Sequence, residues 1–264
     1  MKDIRVTLVQ TNLHWENTGA NLAMLEEEIS TISSPTDVII LPEMFTTGFS
    51  MNASTLAEPM NLHTFKWMRN MASKTGALVL GSCIIKENNH YFNRLIWMEP
   101  DGNFKIYDKR HLFRMAGEDK IYSAGKSRLI AEWKGWKICP LICYDLRFPA
   151  WSRNGFNKPS NSLDYDLLVY VANWPAARSL HWETLLPARA IENLSYVVGV
   201  NRVGSDGNGV EYWGGSTVID PKGRLLINHG NEESIQTTGL SAEELINWRV
   251  KFPAYFDSDE FDFR

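Results

Sequence analysis

Short apolar runs alternate with amphipathic segments along the first half of the chain. The runs have the length and composition of strands and lie at 4–10, 38–41, 77–85, 91–98 and 104–108. Residues 20–32 and 63–75 instead carry apolar side chains at helical spacing, and Gly76 is suited to end the second helix. The segment 110–125 has no clear period, so we expect a functional loop there.

The second half of the chain repeats this alternation. Its predicted strands lie at 128–133, 136–142, 167–172, 195–203, 217–219 and 224–227. A long helix is expected over 180–193, and the turn at 220–223 resembles the turn at 100–103 in composition. Two strand–helix halves with matching hairpins indicate internal pseudo-symmetry. The pattern therefore predicts an α/β fold in which helices cover a mostly buried sheet.

Composition and charge narrow the class of protein. The chain has 264 residues, of which 44% are hydrophobic and 22% charged, and its net charge is −4. It has no basic block, so neither nucleic acid nor an anionic membrane is an expected partner. No apolar stretch approaches the roughly 18 residues needed to span a bilayer, and the first residues show no signal region. We expect a single cytoplasmic domain over 1–264, whose aromatic, acidic tail at 252–264 docks on a surface.

The three cysteines indicate reduced thiols rather than a disulfide framework. Cys139 and Cys143 are four residues apart, but no second cysteine pair or histidine cluster completes a zinc site. We therefore predict no metal, and we interpret Cys83 and Cys139 as core residues.

Cys143 stands where an apolar run ends and the sequence turns polar. An α/β scaffold presents a nucleophile to a crevice at such a strand end. A free cysteine is also a common buried residue, so this position alone would indicate only packing. Two other strand ends carry complementary groups, because Glu43 follows the run 38–41 and Lys109 follows the run 104–108.

Three local signatures around these residues resemble those of the nitrilase superfamily of carbon–nitrogen hydrolases. They read Leu-Pro-Glu-Met-Phe, Tyr-Asp-Lys-Arg-His-Leu-Phe and Cys-Tyr-Asp-Leu-Arg-Phe-Pro. That family uses a Glu–Lys–Cys triad, which Glu43, Lys109 and Cys143 match in order and in their separations of 66 and 34 residues. The resemblance extends from Asp3 to about Lys251. Within the superfamily the sequence is most similar to omega-amidases, which hydrolyse the terminal amide of 2-oxoglutaramate and 2-oxosuccinamate.

This resemblance implies a four-layer α-β-β-α sandwich, a homodimer, a small-molecule amide substrate and no cofactor. It also implies a second carboxylate beside the triad lysine. Glu118, in the loop after Lys109, is the candidate, and a solvated loop charge is the alternative interpretation.

The residue types of the triad suit amide hydrolysis. Glu43 could accept the thiol proton and later activate water, while Cys143 forms a thioester. The ammonium of Lys109 and the backbone N–H of Tyr144 would stabilise the oxyanion.

Further candidates lie near the same strand ends. Trp174 follows the apolar run 167–172 and is expected to form a wall of the substrate pocket, with Phe113 and Tyr144 as its companions. Arg178 is placed to hold a substrate carboxylate. Arg147 is similarly placed, but we interpret it as a structural ion-pair partner.

His111 raises the alternative of a Cys–His dyad, because it lies two residues from Lys109. No local signature of papain-like proteases surrounds Cys143, so we interpret His111 as a structural hydrogen-bonding residue at the pocket floor.

Other functions share the triad or the fold. A nitrilase and an N-carbamoyl-amine hydrolase would use the same three residues, and so would an acyltransferase in which an amine captures the thioester. A non-catalytic binding module would not need all three residues. The leading hypothesis is an amidase that acts on small 2-oxo acid amides.

Overall fold

The computed structural model describes residues 1–259, and two six-stranded sheets form its centre. The first sheet has the order β16 (Ser234–Leu240), β1 (Ile4–Gln10), β2 (Val38–Ile40), β3 (Leu78–Glu87), β4 (His90–Met98) and β5 (Phe104–Asp108). The second has the order β15 (Leu225–Asn228), β14 (Thr217–Ile219), β11 (Tyr196–Asn201), β10 (Leu167–Ala172), β7 (Trp136–Ile142) and β6 (Ala131–Trp133).

The two sheets share one pattern of strand directions. In the first sheet β1, β2 and β3 are parallel, β4 and β5 continue antiparallel, and β16 lies antiparallel on the other side of β1. In the second sheet β7, β10 and β11 are parallel, β14 and β15 continue antiparallel, and β6 lies antiparallel to β7. The predicted pseudo-symmetry is therefore confirmed, with the C-terminal β16 in the place that β6 has in the second sheet.

Helices and short strand pairs complete the fold. The helices are α1 (Thr18–Ser30), α2 (Ala53–Leu56), α3 (His63–Thr75), α4 (Glu118–Ile121), α5 (Pro149–Ser152), α6 (Ser179–Asn193) and α7 (Ala242–Lys251). The small pairs are β8 (Phe156–Asn157) with β9 (Ser162–Leu163), and β12 (Val203–Ser205) with β13 (Glu211–Trp213). Within residues 1–259 no helix is long and apolar enough to cross a membrane.

Buried apolar side chains order these elements into four layers. On one side, Leu25 of α1 and Met68 of α3 share a core with the outward side chains of the first sheet. The inward side chains, among them Trp97, share a second core with both faces of the other sheet and with α6. Gly199 lets α6 approach closely, since a Cβ there would lie 2.6 Å from Leu186 Cδ1. The architecture is the predicted α-β-β-α sandwich.

Six predicted segments agree with the structure at both ends. They are Ile4–Gln10, His63–Thr75, Phe104–Asp108, Trp136–Ile142, Leu167–Ala172 and Thr217–Ile219. Gly76 ends α3 as expected, with φ +66° in the left-handed region. The predicted strand at 128–133 begins only at Ala131, and that at 195–203 divides at Arg202 into β11 and β12.

Other elements had no prediction. Strand β16 has a half-exposed, mixed pattern because it lies at a sheet edge, and α7 follows it. The segment 110–125 is not wholly a loop, since it contains a 3₁₀ turn at Arg114–Ala116 and the short α4.

The described part of the predicted tail docks on the surface. A 3₁₀ turn at Ala254–Asp257 places the Tyr255 and Phe256 rings 5.0 and 5.2 Å from the Phe156 ring. The remaining tail residues, 260–264, lie outside the described residues.

Candidate active site

Four strand ends, two from each sheet, place polar side chains together. In the first sheet, Glu43 comes shortly after β2 and Lys109 directly after β5. In the second, Cys143 comes directly after β7 and Asn173 directly after β10. The backbone N–H of Asn173 donates to Glu43 Oε2 at 2.8 Å, so the contact crosses from one sheet to the other. The site therefore lies at the carboxyl ends of parallel strands, where α/β folds bind ligands.

Lys109 lies between two carboxylates that are sealed from solvent. Its Nζ lies 2.8 Å from Glu43 Oε1 and 3.0 Å from both oxygens of Glu118. The exposed fractions of these side chains are 1% for Lys109 and 0% for both glutamates. Glu118 also accepts the Phe113 N–H at 2.5 Å. The interpretation of Glu118 as a solvated loop charge is therefore wrong.

The backbone at Cys143 is strained. Cys143 begins a 3₁₀ turn that continues to Arg147, and its φ of +42° lies in the left-handed region. Non-glycine residues pay about 1–2 kcal/mol there. Met44, the residue after Glu43, has the same φ. Strain of this kind concentrates at functional sites, and here it turns the chain sharply at the nucleophile candidate.

The thiol of Cys143 faces both Glu43 and Asn173. Its Sγ donates to the Asn173 carbonyl oxygen at 3.8 Å, and the Glu43 carboxylate lies near enough to act on the thiol through its charge. Burial and the charge of Glu43 raise the pKa of the Cys143 thiol well above its ordinary value, and Lys109 opposes this shift. The resting side chain is therefore a thiol beside a carboxylate that can accept its proton.

The cation and the second carboxylate influence each other strongly. Burial lowers the pKa of Lys109, but the charges of Glu118 and Glu43 outweigh it and raise that pKa above the usual value. Burial also raises the pKa of Glu118, while Lys109 opposes the shift. Two carboxylates and one ammonium give this buried group a net charge of −1 when all three are ionised. Among residues 1–259 no group of three or more His, Cys, Asp or Glu side chains is arranged to hold a metal ion.

Two side-chain amides that the sequence reasoning gave no role also contact Glu43. Asn93 Nδ2 donates to Glu43 Oε1 at 2.8 Å, and Asn173 Nδ2 donates to the Glu43 carbonyl at 2.6 Å. The signal for Asn93 was a polar residue inside the apolar strand 91–98. Asn173 directly follows the predicted strand 167–172, and that position was the only signal for it.

A cavity of about 690 Å³ opens in front of Cys143 and Lys109. Its wall includes all four predicted substrate-binding residues, which are Phe113, Tyr144, Trp174 and Arg178. Three further aromatic residues that were not predicted also line the cavity, namely Trp15, Phe49 and Tyr212.

Two arginines bring positive charge to the cavity wall. The Arg147 guanidinium lies 4.9 Å from the Trp174 ring centroid and 2.8 Å from His181 Nδ1. The Arg178 guanidinium lies 5.2 Å from the ring centroid of Phe113. Within residues 1–259 neither arginine forms a salt bridge to a carboxylate. The interpretation of Arg147 as a structural ion-pair partner is therefore wrong, and both cations face the cavity.

His111 belongs to a separate hydrogen-bond group. Its backbone N–H and its Nδ1 lie 3.0 and 2.8 Å from Asp145 Oδ1, and its ring stacks on Phe148 at 3.7 Å. The other oxygen of Asp145 accepts from the Ile142 N–H and from the Tyr107 hydroxyl. His111 is thus a structural hydrogen-bonding residue. Its partner is Asp145, which lies two residues after Cys143.

The sequence model of the carbon-nitrogen hydrolase family matches residues 5–250. The chain belongs to the carbon–nitrogen hydrolase family. Its Glu43, Lys109 and Cys143 are the residues that carried the resemblance. The structure pairs Lys109 with Glu43 at 2.8 Å and places the Cys143 thiol where the charges of both residues act on it. We therefore describe the protein as a hydrolase that acts on carbon–nitrogen bonds.

Similar proteins support this assignment along the whole chain. The hydrolase is 49% identical to the omega-amidase YafV of Escherichia coli K12, with 99% of each chain covered. It is 34% identical to the 2-oxoglutaramate amidase of Bacillus subtilis, with 96% of each covered. A crystal structure of a CN-hydrolase superfamily protein from Xanthomonas campestris, XC1258, superposes with a TM-score of 0.98 at 45% identity and full coverage of both chains. That relative has an arsenic adduct in its active site.

Proposed function

We propose that this hydrolase cleaves the terminal amide of small 2-oxo acid amides, such as 2-oxoglutaramate and 2-oxosuccinamate, to the acid and ammonia. The observation that carries the proposal is a buried thiol–carboxylate–ammonium group at the floor of a cavity whose wall holds two arginines without carboxylate partners among the described residues. The similarity to an omega-amidase and to a 2-oxoglutaramate amidase supports this choice of substrate.

Acylation begins from the neutral thiol. As Cys143 Sγ bonds to the amide carbon, Glu43 takes the thiol proton, and the carbonyl electron pair moves to the oxygen. Lys109 and the backbone N–H of Tyr144 stabilise that oxyanion. Tyr144 is the second residue of its 3₁₀ turn, so its N–H has no carbonyl partner within the turn. Donors of this kind each lower the barrier by roughly 3–4 kcal/mol.

Collapse of the tetrahedral intermediate breaks the carbon–nitrogen bond. Glu43 returns its proton to the nitrogen, so that ammonia leaves and a thioester to Cys143 remains. Water then gives a proton to Glu43 and attacks the thioester carbon. The acid is released when the carbon–sulfur bond breaks, and the thiolate recovers its proton from Glu43. Glu118 holds Lys109 in place through both steps.

Two arginines in the cavity wall favour a substrate that carries a carboxylate. A guanidinium binds a carboxylate through two parallel hydrogen bonds, and Arg147 and Arg178 both line the cavity. Phe113, Tyr144 and Trp174 would pack on the carbon chain between the carboxylate and the amide. In this arrangement the substrate extends from the arginines to Cys143.

The expected setting is the cytoplasm, and the expected assembly is a homodimer. Three free, buried cysteines suit a reducing compartment. Leu180 and Ile191 of α6 and Val250 of α7 are large apolar residues with exposed side chains on the outer helices, and a second copy could cover them. Analytical ultracentrifugation tests the dimer, and a monomer at micromolar concentration would contradict it.

An ammonia-release screen tests the proposed reaction. The substrates are 2-oxoglutaramate, 2-oxosuccinamate, glutamine, asparagine, N-carbamoyl amino acids and simple nitriles. We expect the two 2-oxo acid amides to give the highest kcat/KM, and the Cys143→Ala variant to give no release. Cys139→Ala is the matched control, because this fully buried thiol lies four residues earlier and should be dispensable. Release from nitriles or carbamoyl compounds alone would overturn the substrate assignment.

A further inference from the structure

The two buried carboxylates of the site share a side-chain amide as well as an ammonium. Asn93, on β4, donates through Nδ2 to Glu43 Oε1 at 2.8 Å and, more weakly, to Glu118 Oε1 at 3.4 Å. Its backbone carbonyl accepts the Lys109 N–H at 3.0 Å. One residue therefore contacts all three charged members of the group, although it does not line the cavity.

The orientation of this amide follows from its surroundings. Only the NH₂ group can face two carboxylate oxygens favourably, because an amide oxygen there would face like charge. The other end of the amide, Asn93 Oδ1, is buried and has no hydrogen-bond partner among the described residues. A buried unpaired acceptor costs stability. Asn93 thus donates hydrogen bonds to the two carboxylates while its own side-chain oxygen accepts none among the described residues.

The charge balance explains why such a donor is useful. Glu43 must accept the thiol proton, yet its carboxylate is fully buried and shares the Asn93 amide with a second carboxylate. Hydrogen bonds to the ionised form of a carboxyl group favour that form, and Asn93 supplies one without adding charge. Lys109 alone is shared among three carboxylate oxygens.

We propose that Asn93 is a positioning residue which holds the Glu43 carboxylate in place for proton transfer from Cys143. The inference deepens the proposed function, because it rests on Glu43 acting as the base toward Cys143. It assigns to Asn93 an effect on the chemistry of the thiol that a purely structural residue would lack.

Alkylation of Cys143 by iodoacetamide tests this without any amide substrate. The rate is followed by intact mass between pH 4 and 9, and Cys143→Ala shows any reaction of the other thiols. The rate should fall on the acidic side of this range, which gives the profile an acidic limb. In Asn93→Ala we expect this acidic limb to move to higher pH, because the carboxylate that receives the thiol proton loses a hydrogen bond. Asn93→Asp, which adds a third carboxyl group, should move it further.

Two further variants separate positioning from packing. Asn93→Ser keeps a hydroxyl donor, so the acidic limb of its alkylation profile should lie closer to that of the wild type. If Asn93→Ala does not fold, Asn93→Ser and Asn93→Asp provide the test instead. Asn154 is a buried asparagine whose amide donates only to the carbonyls of Tyr165 and Asn193. Asn154→Ala should lower the melting temperature and leave the limb in place.

The outcomes decide the proposal whether or not the substrate assignment is right. The proposal would be overturned if the acidic limb stayed at the wild-type position in Asn93→Asp, Asn93→Ala and Asn93→Ser, even if the melting temperature fell. An equal shift in Asn154→Ala would overturn it too. If the wild type released no ammonia from any 2-oxo acid amide but its alkylation limb still moved with Asn93, the proposed substrate alone would be wrong.

Discussion

Strands β4 and β5 each contribute to two groups of polar and charged side chains. The two groups are one residue apart in register, but they lie on opposite faces of the sheet and differ in their exposure to water. The inner group contains Asn93 and Lys109, and the outer group contains Arg94, paired with Asp108 across the strands. Successive residues of a strand point to opposite faces. Asn93 therefore shares the face of Leu95 and Trp97 between the sheets, while Arg94 shares the face of Ile96 and Met98 beneath the outer helices.

Each group places one cation between two carboxylates. Arg94 holds Asp108 with two hydrogen bonds of 2.6 and 2.9 Å and Glu87 with a third of 3.0 Å. Its carboxylates reach water, since the exposed fractions are 19% for Asp108 and 46% for Glu87. The carboxylates of the inner group are fully buried and lie beside a thiol. The charges of the inner group are shielded from water and can act on the thiol. The outer group is partly solvated and mainly links β4 to β5.

Removing the inner cation should have the largest effect. Lys109→Ala leaves two buried carboxylates without their ammonium and removes an oxyanion donor, so we expect ammonia release to fall at least about 1,000-fold. The free energy of unfolding should also fall by about 3–5 kcal/mol, as for other broken buried pairs. Lys109→Arg should not restore the rate, because a planar guanidinium does not fit an ammonium-sized site. Steady-state rates and urea unfolding measure both effects, and a near wild-type rate in Lys109→Arg would contradict this placement.

The next largest effect is expected from Glu43→Gln, which keeps shape and removes the base. Acylation and deacylation should each slow by ~100- to 10,000-fold, and alkylation of Cys143 should slow with them. Single-turnover kinetics separate the two steps. His111→Ala is the comparison, because His111 contacts Asp145 rather than the thiol, and it should cost far less rate. The reverse order would overturn the choice of Glu43 as the base.

The sequence made part of this comparison predictable. The triad could be found because each member follows an apolar run that is readable as a strand, and the motifs fixed the spacing. The burial of Glu118 could not be read from Met-Ala-Gly-Glu-Asp, since that burial depends on the turn that brings it back to Lys109. The contact of Asn93 with Glu43 joins residues 50 positions apart and depends on how β2 and β4 lie in the sheet.

The cavity wall was predictable only where it follows the strand ends. Phe113, Tyr144 and Trp174 lie within four residues of a strand end or triad member, and the structure places all three at the cavity. The contact of Arg147 could not be predicted, because its partner His181 is 34 residues away on α6 and no local pattern joins the two. Packing between layers, which a one-dimensional pattern does not record, decided these contacts.

Glu118→Gln sharpens the comparison through the pH dependence of stability. Burial raises the pKa of Glu118 above its ordinary value of 4.5, so the folded state holds this proton more tightly than the unfolded state. The corresponding stability is fully present below about pH 4.5 and is lost as pH rises through the raised pKa. Relative to Glu118→Gln, the wild type should therefore lose free energy of unfolding as pH increases across that window, by at most about 1.4 kcal/mol per pH unit. Urea unfolding of both proteins at several pH values measures the difference, and a constant difference would contradict it.

The smallest effect on activity should come from the outer group. Arg94→Lys keeps the positive charge but loses the two-point contact with Asp108, so we expect the free energy of unfolding to fall by about 1–3 kcal/mol. The rate of ammonia release should stay within about twofold of the wild type, because Arg94 points away from Cys143 and its partners have their own access to water. Urea unfolding and steady-state kinetics are measured on Arg94→Lys and on Lys109→Arg side by side. If Arg94→Lys lost as much activity as Lys109→Arg, the two faces of β4 and β5 would be acting as one unit, and the division between a structural and a chemical charge group would fail.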